Sequence, residues 1–296
     1  MKIRRMKLIA LCLISMSIMA GCQQNSASTK IDGLEVINIS QKNSVHSEPT
    51  WFHDGSQLAV EIDGKTISIV NLENGEWENI GMNENSYNKA PLAWYQNELS
   101  FININYDKEF LKDNSIILWD IKQKEHTKLK EDLPTIYSIT RNQYNQIIYT
   151  KKAEEFEVIL YDLKTEKEEI LFRNGHNVQW HPDGKQVGYI SDNKIYVYDL
   201  TNKNKQLIYS REEENLIDSL TWSPNGQWIA FSEGNYKTGS GLYVVSPNGE
   251  SKEQLIEKSN VASLSWSPTG KEIAITTVGS PGINELFLLE VPEKYR

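Results

Sequence analysis

The stretch Leu220-Thr221-Trp222-Ser223-Pro224-Asn225-Gly226-Gln227-Trp228-Ile229-Ala230-Phe231 decides the fold. Leu220 and Trp222 alternate with polar neighbours, Pro224-Asn225-Gly226 is turn chemistry, and Trp228 to Phe231 restarts an apolar run. The pattern predicts a strand, a tight turn and a second strand. The phrase returns from Leu264 to Ile275 around Trp266-Ser267-Pro268-Thr269-Gly270, and from Val178 to Ile190 around Trp180-His181-Pro182-Asp183-Gly184. A fourth copy, Trp51-Phe52-His53-Asp54-Gly55, lies nearer the N-terminus.

The tryptophan before each turn serves as a ruler. Trp51, Trp94, Trp180, Trp222 and Trp266 are separated by 43, 86, 42 and 44 residues. The doubled gap demands a degenerate copy near its midpoint, Tyr137. Tyr137-Ser138-Ile139-Thr140 followed by Gln146-Ile147-Ile148-Tyr149 fits, with Ile139 in the tryptophan position. Six copies result. Each continues into a third strand ending in a polar residue, such as Ile116 to Asp120 or Ile195 to Asp199, and then a fourth, such as Lys205 to Ile208. A period near 43 residues with several short strands per unit is the mark of a propeller blade. The expectation is an all-β, six-bladed β-propeller of four-stranded antiparallel blades. The sixth copy ends after its third strand, whereas Leu34 to Ser40 alternates apolar and polar residues ahead of the first copy without a partner. Placed as the outer strand of the last blade, it closes the ring and covers an edge.

Ahead of that strand stands a targeting signal. Lys2, Arg4, Arg5 and Lys7 form a basic head, and Leu8 to Ala20 is an apolar run of 13 residues. A span needs ~20 residues, so the run suits a secretory signal. It ends Met19-Ala20-Gly21-Cys22, which resembles the lipobox of bacterial lipoproteins. The resemblance implies cleavage before Cys22 and lipidation of its thiol. Cys12 would leave with the signal, so Cys22 would remain as the single thiol of an exported chain, and lipidation removes that liability. The expected organisation is a signal at 1–21, a flexible tether at 22–32 and the propeller at 33–296, held on the extracytoplasmic face of the cell membrane. Loss of the signal removes four basic residues and no acidic one, taking the formal net charge from −9 to −13. Nucleic acid is an unsuitable partner for such a surface.

The phrases around Trp180, Trp222 and Trp266 resemble the Pro-Asp repeat of TolB-like β-propellers. With the weaker copies the resemblance covers the chain after the signal. Trp94-Tyr95-Gln96-Asn97-Glu98 lacks both Pro and Gly, and the third copy departs further. The motif implies a scaffold: it also occurs in propellers of oligopeptidases and some lyases. What it implies for function is protein contact across the channel face.

The chain shows no Gly-x-Ser-x-Gly elbow, zinc spacing or calcium loop, so no catalytic residue, metal or cofactor is assigned. His176 and His181 flank one strand, and five residues at ~3.3 Å separate them by roughly 16 Å, onto opposite faces. Binding is expected in loops around one channel mouth. Candidate contacts are His46, Tyr87, Tyr106, Phe110, His176 and Tyr236, with the longest loops at 105–110 and 234–239. The leading expectation is a monomeric, non-enzymatic binding module for an envelope protein or small ligand, touching the membrane through its anchor alone. A lyase or hydrolase acting on a carbohydrate or small molecule, using His46 and His176 as acid and base, and a sensor or assembly factor stay open.

Overall fold

The computed structural model describes residues 28–42, 44–80, 86–107, 110–211, 215–235, 239–257, 259–279 and 284–296; in the second blade the side chains of 86–91, 104–107 and 110–113 are outside the description. Six antiparallel sheets follow in chain order. Blade one runs His46–Trp51, Gln57–Ile62, Thr66–Asn71 and Trp77–Ile80. Blade two comprises Ser86–Tyr95, Glu98–Asp107, Phe110–Asp120 and Glu125–Leu133. The third is Ile136–Arg141, Gln146–Lys152, Phe156–Asp162 and Lys167–Arg173. His176–Trp180, Gln186–Ser191, Lys194–Asp199 and Lys205–Ser210 form blade four. Leu216–Trp222, Ile229–Asn235, Gly239–Val245 and Lys252–Ile256 form blade five. The first strands of successive blades touch in a closed cycle, the sixth meeting the first. The chain is a six-bladed β-propeller.

Blade six, Val261–Trp266, Glu272–Val278 and Asn284–Glu290, is completed from the N-terminus. Leu34–Asn38 pairs with Asn284–Glu290, in the register Val36 with Leu289 and Ile37 with Leu288. Ile39 N–H adds a bond to the Leu286 carbonyl at 3.0 Å. One boundary shifts. Ser28–Ile31, expected within the tether, is a fifth strand on this blade, paired Lys30 with Glu35 and Ile31 with Leu34. The physical reason is the hairpin turn Asp32-Gly33, with φ of 51° and 86°, a geometry that Asp-Gly favours.

The core is divided. Six apolar clusters of described residues each join two neighbouring blades. Second strands are covered by a neighbour on both faces, so Leu58-Ala59-Val60 and Ile229-Ala230-Phe231 are buried throughout. This explains why these strands lack alternation. Tryptophans wedge the seams: Trp222 packs over Gly188 of blade four, where a Cβ would stand 2.9 Å from the indole Nε1.

The third copy is corrected. Arg141 pairs with Ile147 as Trp180 pairs with Val187 and Trp222 with Ile229. Asn142 N–H then bonds the Gln146 carbonyl, as Ser223 N–H bonds that of Trp228. Arg141, not Ile139, therefore holds the tryptophan position. Its turn has one residue fewer, and Asn145 (φ 61°) replaces the glycine.

The turns after the first strands lean on one another around one end of the channel. Tyr95 Oη donates to the Gln143 carbonyl at 3.1 Å, and Gln143 Nε2 to that of Pro182 at 3.0 Å. His181 Nε2 approaches the Gly226 carbonyl at 3.3 Å. Gly226 adopts φ 70°, and a side chain there would collide with the His181 ring. The motif glycine is thus needed for backbone conformation and for its neighbour's approach.

Candidate functional site at the channel

At the other end, every first strand is interrupted near its start. The ladder shifts between Ser47 and Thr50, Lys89 and Leu92, Ile136 and Ser138, His176 and Gln179, Ile217 and Leu220, and Val261 and Ser263. Bulges re-aim side chains, and here they do so next to the channel. The first inserted residues are Glu48, Ala90, Tyr137, Asn177, Asp218 and Ala262, one per blade. Glu48 and Asn177 take left-handed backbone conformations, φ 47° and 50°. For residues other than glycine this costs of order 1 kcal/mol or more.

A cavity of about 320 Å³ lies among these starts, lined by Glu48 from blade one, Tyr137, Ser138 and Phe156 from blade three, and His176, Asn177 and Gln179 from blade four. Tyr137 meets Phe156 edge to face at 5.0 Å, and His176 lies 6.2 Å beyond. Glu48 N–H donates to Ser263 Oγ at 3.2 Å, Asn177 Nδ2 to the Asp218 carbonyl at 2.9 Å, and Ser138 Oγ to Thr150 Oγ1 at 2.8 Å. These bonds hold the walls before any ligand arrives.

The electrostatics of this cavity are unusual for its composition. Glu48 is half-buried but deep within the ring. Burial first, then the charge of nearby Glu61, pushes its carboxyl up to about 7. His176 is pushed below the ordinary histidine value by burial, opposed by Asp192. Near neutral pH the imidazole is therefore uncharged and the carboxyl stands close to its midpoint.

A second cavity, about 350 Å³, opens at the turn end among Trp51, Trp94, Arg141, Trp180, Trp222 and Trp266. Gln179 lines both cavities and marks the waist between them. Arg141 Nη2 bonds Glu98 Oε2 at 2.7 Å, and the guanidinium lies 5.1 Å from the Tyr95 ring centre. Its Nε and Nη1 are buried without a hydrogen-bond partner.

The candidate residues separate. His176 lines the first cavity. His46 does not: it is fully buried, with Nδ1 2.9 Å from the Asn284 carbonyl and Nε2 accepting from Gln41 N–H at 2.9 Å. His181 sits among the turns at the opposite end, as the strand length requires. Cys22 and Tyr236 lie outside the described residues, as do the side chains of Tyr87, Tyr106 and Phe110. Of the expected loop at 105–110, Asn105 to Asp107 and Phe110 are instead paired strand, with Asn105 opposite Asp113 and Asp107 opposite Phe110. Likewise His46 and His176 begin strands, and Tyr87 is the second residue of one. Glu48 and Asn177 fell within stretches expected around the channel mouth, 46–48 and 174–177, without being named as contacts; Tyr137, Ser138, Phe156 and Gln179 were not expected there. For all of them but Phe156, which opens the third strand of blade three, the common signal was position in a first strand. Among the described residues no three His, Cys, Asp or Glu side chains converge as metal ligands.

Residues 176–287 match the family model of eukaryotic translation initiation factor eIF2A. No curated protein matches the chain. Among solved structures, it resembles a gluconolactonase from Xanthomonas campestris at 12% identity and TM-score 0.68, covering 89% of this chain and 91% of that one. It resembles a putative TolB from Agrobacterium tumefaciens at 14% identity and TM-score 0.66, over 88% and 98% of the two chains. An oligogalacturonate lyase in complex with manganese aligns at 11% identity and TM-score 0.64, over 91% and 96%. These likenesses concern the propeller fold, which enzymes and non-enzymatic proteins share.

Proposed function

We propose that the chain is a lipid-anchored, extracytoplasmic binding module that holds an envelope ligand in the cavity between Glu48 and Phe156. The observation that carries this reading is the cavity itself: three blades contribute to it, and its walls are fixed by hydrogen bonds. A preformed concave site on a rigid scaffold, with aromatic rings and a few polar groups, is what ligand recognition requires. The anchor is supported by the Met19-Ala20-Gly21-Cys22 phrase, and the acidic surface leaves nucleic acid an unsuitable partner. Cys22→Ala should release the protein from membranes. A photo-crosslinking residue in place of Tyr137, which is 47% exposed, should capture one envelope component in intact cells. Phe156→Ala elsewhere in the same chain should abolish that capture, and undiminished capture would remove the cavity from consideration.

A catalytic reading has one observation in its favour, a raised carboxyl and a neutral imidazole lining one cavity. Such a pair could protonate a leaving group and accept a proton. His46, however, is spent on backbone bonds elsewhere. Turnover of an oligosaccharide or a lactone, lost in both Glu48→Gln and His176→Ala, would establish the enzyme.

A further inference from the structure

We propose that the cavity takes the ammonium group of an organic cation, with the Glu48 carboxylate as counter-ion and the Tyr137 and Phe156 rings as its walls; this rests on reading the cavity as the binding site. The lining contains one carboxylate and no Lys or Arg. Glu61 lies near enough to act on Glu48, and Asp192 on His176, so two further carboxylates contribute negative potential. The walls are two aromatic rings packed edge to face, and ring faces attract cations. Lys152 Nζ already stands 5.5 Å from the Phe156 ring centre without lining the cavity. That ring therefore accepts a cation on a face, and Lys152 limits the attraction left for a second one.

Competing ligand classes fit less well. An anion would meet Glu48 with no cation in the lining to balance it. A neutral polyol would leave the Glu48 carboxylate without a counter-charge, and two polar side chains of the lining are already committed, Asn177 to Asp218 and Ser138 to Thr150. The volume, about 320 Å³, lies at the lower end of the ~300–1,000 Å³ typical of small-molecule sites. It suits a lysine side chain, an amino sugar or an ethanolamine head group. A cation in contact would also favour the ionised Glu48 carboxyl, which is near its midpoint when empty.

The test is calorimetric titration of the full-length protein in detergent with three amines and their neutral counterparts: Nα-acetyl-lysine amide against Nα-acetyl-norleucine amide, glucosamine against glucose, and ethanolamine against ethylene glycol. The expected result is binding of at least one amine, with its neutral counterpart and Glu48→Gln each roughly tenfold weaker or worse. The amine preferred identifies a peptide, glycan or lipid source. Phe156→Leu, which keeps an apolar side chain, should weaken the amine and leave the melting curve nearly unchanged. Equal binding of amine and neutral counterpart, or full binding by Glu48→Gln, overturns the cation while the cavity remains the binding site. No binding of any amine also overturns the cation. In that case the crosslink at position 137 decides the binding-module reading separately.

Discussion

His46, in the first strand of blade one, donates through Nδ1 to the Asn284 carbonyl of blade six at 2.9 Å, while its Nε2 accepts from Gln41 N–H at the same distance. The acceptor role of Nε2 fixes the neutral tautomer, so this imidazole works as a clasp between the first and last blades. Beside it, Leu286 N–H donates to Ser40 Oγ at 2.8 Å. Ring closure is thus made by hydrogen bonds as well as by strand pairing.

Replacing His46 with Leu should cost about 1–3 kcal/mol, because two part-buried backbone groups, Gln41 N–H and the Asn284 carbonyl, lose their partner. Urea denaturation at pH 7.5 measures this. Burial holds the His46 and His176 values below the ordinary histidine range. The unfolded chain therefore binds more protons as the pH drops below about 6.5, and their contribution to stability is lost on acidification.

Glu48 has the opposite sign. Its folded value, about 7, lies above the ordinary 4.5, so the folded state holds the extra proton between those values and stability falls as pH rises through them. Glu48→Gln should stabilise the protein above pH 7 by at most ~3 kcal/mol, since one unit is worth about 1.36 kcal/mol, less whatever channel water screens. Below pH 4 the variant and parent should coincide. Equal stabilities at pH 8 would contradict the assignment.

Deleting Leu34 to Ser40 should lower the melting temperature of the whole domain. It uncovers the Asn284–Glu290 edge and removes Val36, which is 1% exposed in the blade-five and blade-six cluster. Val36→Asp is the milder version, costing about 3 kcal/mol through an unpaired buried charge. A melting curve indifferent to both changes would contradict closure by this strand.

Arg141 and Glu98 should respond unequally. Arg141→Met replaces two unpartnered buried nitrogens by apolar volume and should be neutral within about 1 kcal/mol, or stabilising. Glu98→Ala leaves the guanidinium without its carboxylate and should be the more damaging of the two. Guanidinium denaturation of both variants checks the order, and the reverse ranking would show that the Arg141 packing, not its charge balance, is what matters.

Much of the fold was legible. The spacing of Trp51, Trp94, Trp180, Trp222 and Trp266 sufficed for six blades, and the unpaired Leu34 strand for closure. Arg141 escaped because a cation stacked on Tyr95 and bonded to Glu98 fills the seam that indoles fill elsewhere, and no periodicity of apolar residues marks it. The site was hardly legible. His46 and His176 begin equivalent strands, yet one faces Asn284 and the other the cavity. That Glu48 and Asn177 are bulge residues emerged only from the structure, since a ladder shift depends on the partner strand.

By itself the sequence determined the scaffold: local alternation, turn residues and a repeat near 43 residues act within each blade, so they can be read along the chain. Only the tertiary structure decided what the channel holds. Glu48 lies far in sequence from Phe156 and His176 and meets them because three blades converge on one axis, and the value near 7 at Glu48 comes from burial in the folded ring, with Glu61 of its own blade adding to it.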